Sequence, residues 1–359
     1  MTGPGKPFRV IDTGVREGRA NIAFDAALIE LHKRGAIPDT IRFLTFRPTA
    51  LVGRHQALSQ EINLDYCRAN GIGLARRMTG GGAIYMDEGQ FGFELVFKRE
   101  TLGLGNLGDL ARAICEAAAA GLQRLGVNAA FRPRNDIEVD GRKISGTGGF
   151  FDGDTLFYQG TILLRLDPAR MIGALNVPAA KLAKHGAPSA DRRIVTLSEL
   201  SPEAAMDPAR VKTALLEGFA QRLGIAPLAA EITSQEEAMA QKAFDDEIGA
   251  EEYVREIDAP PGDASVRSAS VQSAGGMISA HLRMEGPRQS RIREALVTGD
   301  FFVTPPRLVM DLEAALRGVE REDVRSATLA FFAKAEFGIL SARPEDFAAA
   351  IAQAAEGET

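Results

Sequence analysis

The chain has 359 residues, 45% hydrophobic and 25% charged, with a net charge of −6, which excludes a disordered polymer and favours two or three folded domains. An acidic balance, with a pI near 5.5, argues against nucleic acid as the main partner. Two distant cysteines, Cys67 and Cys115, exclude a disulfide framework; with no apolar run approaching ~18 residues and no secretory start, they lead to the expectation of a cytoplasmic, membrane-free protein.

In chain order, Phe8 to Asp12 reads as a strand, and Asn21 stands as an N-cap before an apolar helical pattern from Ile22 to Arg34. Thr40 to Phe46 alternates as a strand. Leu51 to Gln56 reads as a strand end and turn, with Arg54 and His55 in solvent. Asn63 to Ala69 suits a short helix closed by Asn70-Gly71. Phe91, Phe93, Leu95 and Phe97 alternate with Gly92, Glu94 and Val96, a strand burying one face. Leu107, Leu110, Ile114, Ala118, Leu122 and Leu125 form a helical stripe ending at Gly126, and Cys115 beside it reads as packing.

Leu156 to Leu166 reads as a strand interrupted at Gln159-Gly160-Thr161, Lys181 to Arg193 as a basic loop, and Pro208 to Leu223 as a helix ending at Gly224. The stretch 231–263 reads as an acidic helix and linker, hence a boundary between a unit at 1–230 and another at 264–359. The second unit holds a hairpin about 273–276, the run Thr298-Gly299-Asp300-Phe301-Phe302, and helices near 307–317, 321–333 and 344–355.

Two stretches carry chemistry. Arg76-Arg77-Met78-Thr79-Gly80-Gly81-Gly82 sets guanidinium donors beside three glycines, through which a backbone can approach an anion closely. Arg134-Asn135-Asp136 runs into a strand whose Asp140-Gly141 turn predicts pairing of Glu138 with Lys143, Ile137 with Ile144 and Asp136 with Ser145. That register puts Asp136, Glu138, Lys143 and Ser145 on one face, a lysine flanked by carboxylates ahead of the flexible Gly146-Thr147-Gly148-Gly149.

Together these stretches resemble the lipoate–protein ligases. Arg76-Arg77, Gly80-Gly81-Gly82 and Ala83-Ile84 look like that family's first signature, and Arg134-Asn135-Asp136 with Gly141-Arg142-Lys143-Ile144-Ser145-Gly146 like its second. Gly160-Thr161, then Lys181 with Ser189 and Arg193, resemble later motifs, and Thr298 to Phe302 with Leu312-Glu313 resembles the family's C-terminal accessory domain. The resemblance implies an α+β fold: mixed, largely antiparallel sheets flanked by helices, plus a small α+β accessory domain. It implies a reaction in which lipoate and ATP give lipoyl-adenylate and pyrophosphate, and the acyl group passes to a lysine of an acceptor.

Under it, Lys143 is the catalytic cation for both steps, and Asp136 holds Lys143 or a nucleotide-bound Mg²⁺. Arg76, Arg77, Thr79 and Gly80 to Gly82 meet carboxylate or phosphate, and Ala83, Ile84 and Tyr85 line the adenine. Asn135, Ser145, Gly146, Thr147, Gly160 and Thr161 complete the binding surface, with Lys181, Ser189 and Arg193 on a loop closing over the adenylate. The implied acceptors are a dehydrogenase lipoyl domain, a glycine-cleavage H-like protein or a free-standing lipoate-binding protein. Met86, Gln90 and Tyr158-Gln159 depart from the residues common at those places, His, Asn and two His, which points to a branch with an unusual acceptor. The rival readings are an octanoyltransferase working through a cysteine thioester, for which no cysteine follows Lys143, and a non-catalytic module that binds a lipoyl domain or lipoate.

Overall fold

A computed structural model of the protein describes residues 5–176, 193–340 and 342–357. Its frame is an eight-stranded sheet, built from β1 (Lys6–Arg16), β2 (Thr40–Phe46), β6 (Gln90–Lys98), β7 (Ala130–Arg132), β8 (Asp136–Val139), β9 (Arg142–Asp152), β10 (Thr155–Leu163) and β11 (Ile225–Ala229). The order is β11-β1-β2-β6-β10-β9-β8-β7. Only β1 pairs in parallel, with β11 and β2, and the remaining ladders are antiparallel. The fold is therefore mixed and largely antiparallel, as the resemblance implies. A small sheet, with β3 (Thr49–Val52) between β4 (Gly73–Arg76) and β5 (Ile84–Met86), stands beside it.

Helices cover both faces. Leu107–Gln123 and Pro208–Leu223 lie on one face, with Phe91, Phe93, Leu95 and Phe97 of β6 buried in the same core. Asn106 caps the first helix by accepting from Asp109 N at 2.8 Å, and Asp207 caps the second by accepting from Arg210 N at 3.0 Å. On the other face lies helix Gly18–Lys33, whose Phe24, Ala27, Leu28 and Leu31 recur at helical spacing and pack on Val96, Phe150 and Phe157. Helices on both faces mean that β6 buries both: Gly92, Glu94 and Val96 are as enclosed as the phenylalanines, against the one-sided expectation.

Other local expectations shift for identifiable reasons. The first helix begins at Gly18, not after Asn21, because Asn21 spends its side chain on Thr45 O (2.9 Å) and on Arg42 (2.7 Å). Strand β10 runs unbroken through Gly160, where a Cβ would lie 2.3 Å from the Phe93 ring, so this glycine serves packing and not a break. The 136–146 hairpin keeps Glu138 opposite Lys143, but a bulge puts Ile137 opposite Ser145 and Asp136 opposite Gly146. His55, expected in solvent, is buried and stacks on Phe301 at 5.1 Å, and Arg54 pairs with Glu256. Lys181 and Ser189 lie outside the described residues.

Residues 266–357 bring a second core, in which β12 (Val266–Ser273), β13 (Gly276–Glu285) and β14 (Arg291–Gly299) pack on helices Leu308–Ala315, Val324–Lys334 and Pro344–Glu356. Its 299–304 segment meets the turns at His55 and Gly81 and strand β9 of the larger sheet directly. Gly299 N donates to His55 O at 3.0 Å, Gly81 N to Phe301 O at 3.2 Å, and Thr304 Oγ1 bonds both N and O of Phe151 at 2.7 and 3.0 Å. No described helix is long and apolar enough to cross a membrane.

Candidate active site

The bulged hairpin and the triple-glycine turn face one cavity of about 480 Å³, within the range of small-molecule sites. Its walls include Arg77, Thr79, Gly80, Gly81, Gly82 and Ala83 from the turn, and Ile84 and Tyr85 from β5. Across from them stand Arg134, Asn135 and Asp136, with Lys143, Gly146 and Thr147 of β9 and Gly160 and Thr161 of β10.

Three expected residues stand apart. Arg76 is buried behind the turn, donating to the carbonyls of Gly53, Gln56, Val254 and Ile257 at 3.1, 2.7, 2.9 and 2.9 Å; it shapes the turn and does not line the cavity. Ser145 is fully buried, its hydroxyl unpaired and off the cavity wall, because the bulge turns it away. Arg193 also lies off the wall, its carbonyl accepting from Lys143 N at 2.9 Å.

The polar centre is compact. Lys143 Nζ lies 2.7 Å from Asp136 Oδ1, and Arg132 Nη2 lies 2.6 Å from Asp136 Oδ2. Burial alone would raise the Asp136 pKa, but Lys143 and then Arg132 outweigh it and hold the carboxyl below its usual range. Asp136 is thus an anion that fixes an ammonium. With both its oxygens committed to cations, it does not fit a metal ion, and among the described residues no group of three or more His, Cys, Asp or Glu could hold one.

Arg77 is buried and donates to Gly80 O at 3.2 Å and Gly82 O at 2.9 Å, so it ties the turn while lining the cavity. Burial lowers its pKa to about 10, which leaves it charged at neutral pH. The glycines are required here. A Cβ on Gly80 would meet Phe301 O at 2.1 Å, and Gly81 combines φ +96° with the Phe302 ring 2.5 Å from its would-be Cβ.

The apolar walls fall on two sides of β5. Ile22, Leu44, Phe46, Leu51 and Met86 share one cluster, while Tyr85, Leu166, Met171 and Leu175 share another. The cavity therefore offers two apolar lobes and a cationic middle, suited to a molecule with an aliphatic part, an anionic junction and a second apolar or aromatic part. Neither cysteine serves it. Both are buried, and burial pushes each thiol up to about 11. Cys115 reaches the cavity only through Thr147, at 3.3 Å.

Glu94, Leu44, Phe46, Ile22 and Phe302 also line the cavity, and none of them lies in a stretch whose residue types announce a site role. Glu94 carries its own signal: it is the one charge in the run Phe91 to Phe97, whose other residues are apolar or glycine and enclosed on both faces.

The family model of the lipoyl protein ligase A/B catalytic domain matches residues 17–220. Octanoyltransferase LipM of Symbiobacterium thermophilum is 29% identical over 269 residues, covering 68% of this chain and 97% of its own length. Lipoate-protein ligase A subunit 1 of Thermoplasma acidophilum is 29% identical over 245 residues, covering 66% and 91%. Among solved structures, a bi-partite lipoate protein ligase from Thermoplasma acidophilum, described with its E2 lipoyl domain, superposes with TM-score 0.63 and 26% identity over 72% of this chain and 99% of its own. LipL1 of P. falciparum in complex with lipoate gives TM-score 0.71 over 92% of this chain and 95% of its own at 17% identity, a likeness of fold.

Proposed function

The chain belongs to the lipoyl protein ligase A/B catalytic-domain family, which is one of enzymes, and from that premise we propose that it activates lipoate with ATP and transfers the lipoyl group to a lysine of an acceptor protein. The observation that carries this reading is the Lys143–Asp136 pair standing in one two-lobed cavity with the glycine turn, where no thiol lines the wall.

In the first step a lipoate carboxylate oxygen attacks the α-phosphorus of ATP, the bond to the bridging oxygen breaks, and pyrophosphate leaves. Mg²⁺ arrives as part of the nucleotide substrate and is held by its phosphates. Lys143, fixed by Asp136, offers a preorganised positive charge to the oxygens that gain negative charge, and Arg77 adds a second cation. In the second step the neutral amine of the acceptor lysine attacks the acyl carbon, AMP departs, and the amine proton is lost. The same ammonium faces the acyl oxygen in that step. Burial of the mixed anhydride between the lobes keeps water from it. The acceptor is a lipoyl domain, a glycine-cleavage H-like protein or a free-standing lipoate-binding protein, and residues 264–359 act as an accessory unit to a catalytic unit at 1–230, joined through 231–263.

The octanoyltransferase relatives favour a second reading, transfer of octanoyl from a carrier protein with no ATP. That route through a thioester needs a nucleophilic thiolate, whereas Cys67 and Cys115 are buried with raised pKa values. One experiment separates the readings: pyrophosphate release from ATP with lipoate, octanoate or biotin. Lipoate-dependent release supports the ligase, and ATP-independent octanoyl transfer without pyrophosphate overturns it.

A further inference from the structure

Among the described residues the cavity wall carries three cations, Arg77, Lys143 and Arg134. Two are already committed. Arg77 is buried and gives its guanidinium to the carbonyls of Gly80 and Gly82 at 3.2 and 2.9 Å, and Lys143 Nζ lies 2.7 Å from Asp136 Oδ1. Arg134 is exposed, and its guanidinium meets no acceptor among the described residues.

That freedom does not come from a loose backbone. Arg134 sits in the Pro133-Arg134-Asn135 turn between β7 and β8, and the turn is fastened on both sides. On one side Arg132 Nη2 lies 2.6 Å from Asp136 Oδ2, and its Nη1 3.3 Å from Glu138 Oε2. On the other, Asn135 O accepts from Thr147 N at 2.9 Å and from Thr147 Oγ1 at 2.8 Å, while Asn135 Nδ2 donates to Thr147 O. Proline at 133 narrows the turn further by fixing its φ. A long cationic side chain is thus mounted on a stiff base at the cavity, two positions from the carboxylate that holds Lys143, with its donors unspent.

We infer that Arg134 is the leaving-group cation of the activation step, meeting the β- and γ-phosphates of ATP and not the part of the nucleotide that stays with the acyl group. This rests on the acyl-activating reading above. The three cations differ in exposure: Arg77 is 6% exposed, the Lys143 side chain 37%, and Arg134 is open to solvent. The acyl chain and the base belong in the apolar lobes and the α-phosphate between Arg77 and Lys143. The β- and γ-phosphates, the most charged and most hydrated part, then fall to the exposed cation. In the step itself the acid's carboxylate oxygen bonds to the α-phosphorus, and the bond from that phosphorus to the α,β-bridging oxygen breaks. Its electron pair stays on the bridging oxygen of the departing pyrophosphate, and no proton moves. A guanidinium fork meets phosphate oxygens with paired N–H donors. Arg134 therefore serves the first half-reaction alone, whereas Lys143 serves both.

The test compares ligands that carry the β- and γ-phosphates with ligands that lack them. Dissociation constants of ATP with Mg²⁺, of AMP and of a stable sulfamoyl analogue of lipoyl-adenylate are measured by calorimetry on the full chain, with lipoate-dependent pyrophosphate release in parallel. Arg134→Ala should weaken ATP binding and lower kcat/KM for ATP by about tenfold, the low end for a hydrogen bond to a charged group because the side chain is open to solvent. Binding of AMP and of the analogue should not change. Arg134→Lys keeps the charge and loses the fork, so it should recover part of the loss. ATP binding and pyrophosphate release that are unchanged in Arg134→Ala overturn the inference; if that variant slows only transfer to an acceptor domain, the arginine belongs to protein docking. An equal loss for ATP, AMP and the analogue also overturns it, since that pattern puts Arg134 at the α-phosphate or in the scaffold. A wild type that binds ATP through Arg134 but releases no pyrophosphate with lipoate overturns the ligase reading and leaves the phosphate site standing. A wild type that binds no nucleotide overturns both.

Discussion

Lys143 and Asp136 lie 2.7 Å apart across a bulged hairpin, and the second oxygen of Asp136 is held by Arg132. The lysine's position is therefore set by a neighbouring strand and not by solvent. Replacing Lys143 with alanine is expected to lower kcat for pyrophosphate release by about 10²–10³, the usual effect of losing one preorganised charge stabiliser. The side chain is more than a third exposed, so Tm should hardly move. Asp136→Asn keeps the shape but loosens the ammonium, and a smaller drop of about tenfold is expected. Because the folded pKa of Asp136 is depressed, its contribution to stability is present above the unfolded value. It is lost as pH falls through the folded one. Acid titration of the two proteins should therefore show a smaller acid-induced loss in Asp136→Asn, while neither changes through this group between pH 5 and 8.

Gly81 and Phe302 make a second relationship that can be tested as a pair. Gly81→Ala adds a Cβ against the Phe302 ring at a φ of +96°, and should cost about 1–3 kcal/mol in stability from strain and overpacking. Phe302→Ala in the same chain removes the steric part but not the backbone part. The double-mutant cycle should give a coupling of about 1 kcal/mol or more. Additive effects by denaturant melts would show that the ring and the turn are not in contact in solution.

How much of this was legible beforehand differs by element. The Asp140-Gly141 turn and the lysine three residues after Asp140 could be read because two-residue hairpins fix their register locally. The bulge that moves Asp136 opposite Gly146 and hides Ser145 could not, because it depends on what packs around the strand. Arg76 and Arg77 are indistinguishable as letters, yet one ties backbone carbonyls and the other lines the cavity; only tertiary contacts separate them. The approach of Phe301 and Phe302 to the glycine turn joins residues more than two hundred positions apart, beyond any local pattern. Glu94 is legible too, since a lone carboxylate in an apolar run asks for a buried cation, and Arg42 stands in the adjacent strand with the same signature.

That pair carries a stability prediction. Arg42→Met leaves Asp25 and Glu94 facing each other without a cation, and should cost about 3–5 kcal/mol in urea melts. Glu94 has a raised folded pKa, so the stability it confers is complete below its unfolded value and is lost as pH rises towards the folded one. Glu94→Gln mimics the protonated carboxyl and does not titrate. Its stability relative to the wild type should therefore improve steadily as pH is raised from about 4.5. A difference that stays flat with pH would mean that Glu94 is ionised in the folded protein.

The last prediction concerns the thiols and separates the two acyl-transfer chemistries. Cys67 and Cys115 are both buried, and burial pushes each pKa to about 11, so at neutral pH almost none of either is thiolate. A protein in which both are replaced by alanine should retain lipoate-dependent pyrophosphate release within about twofold of the parent. It should lose about 1–2 kcal/mol of stability, because Cys115 packs in the main core and Cys67 in a smaller one. Treatment of the folded parent with a thiol-directed alkylating reagent should leave turnover intact and label neither residue at an appreciable rate. Covalent capture of an octanoyl thioester on either cysteine, with acyl transfer abolished by its removal, would assign the chemistry to sulfur and remove the adenylate from the reaction.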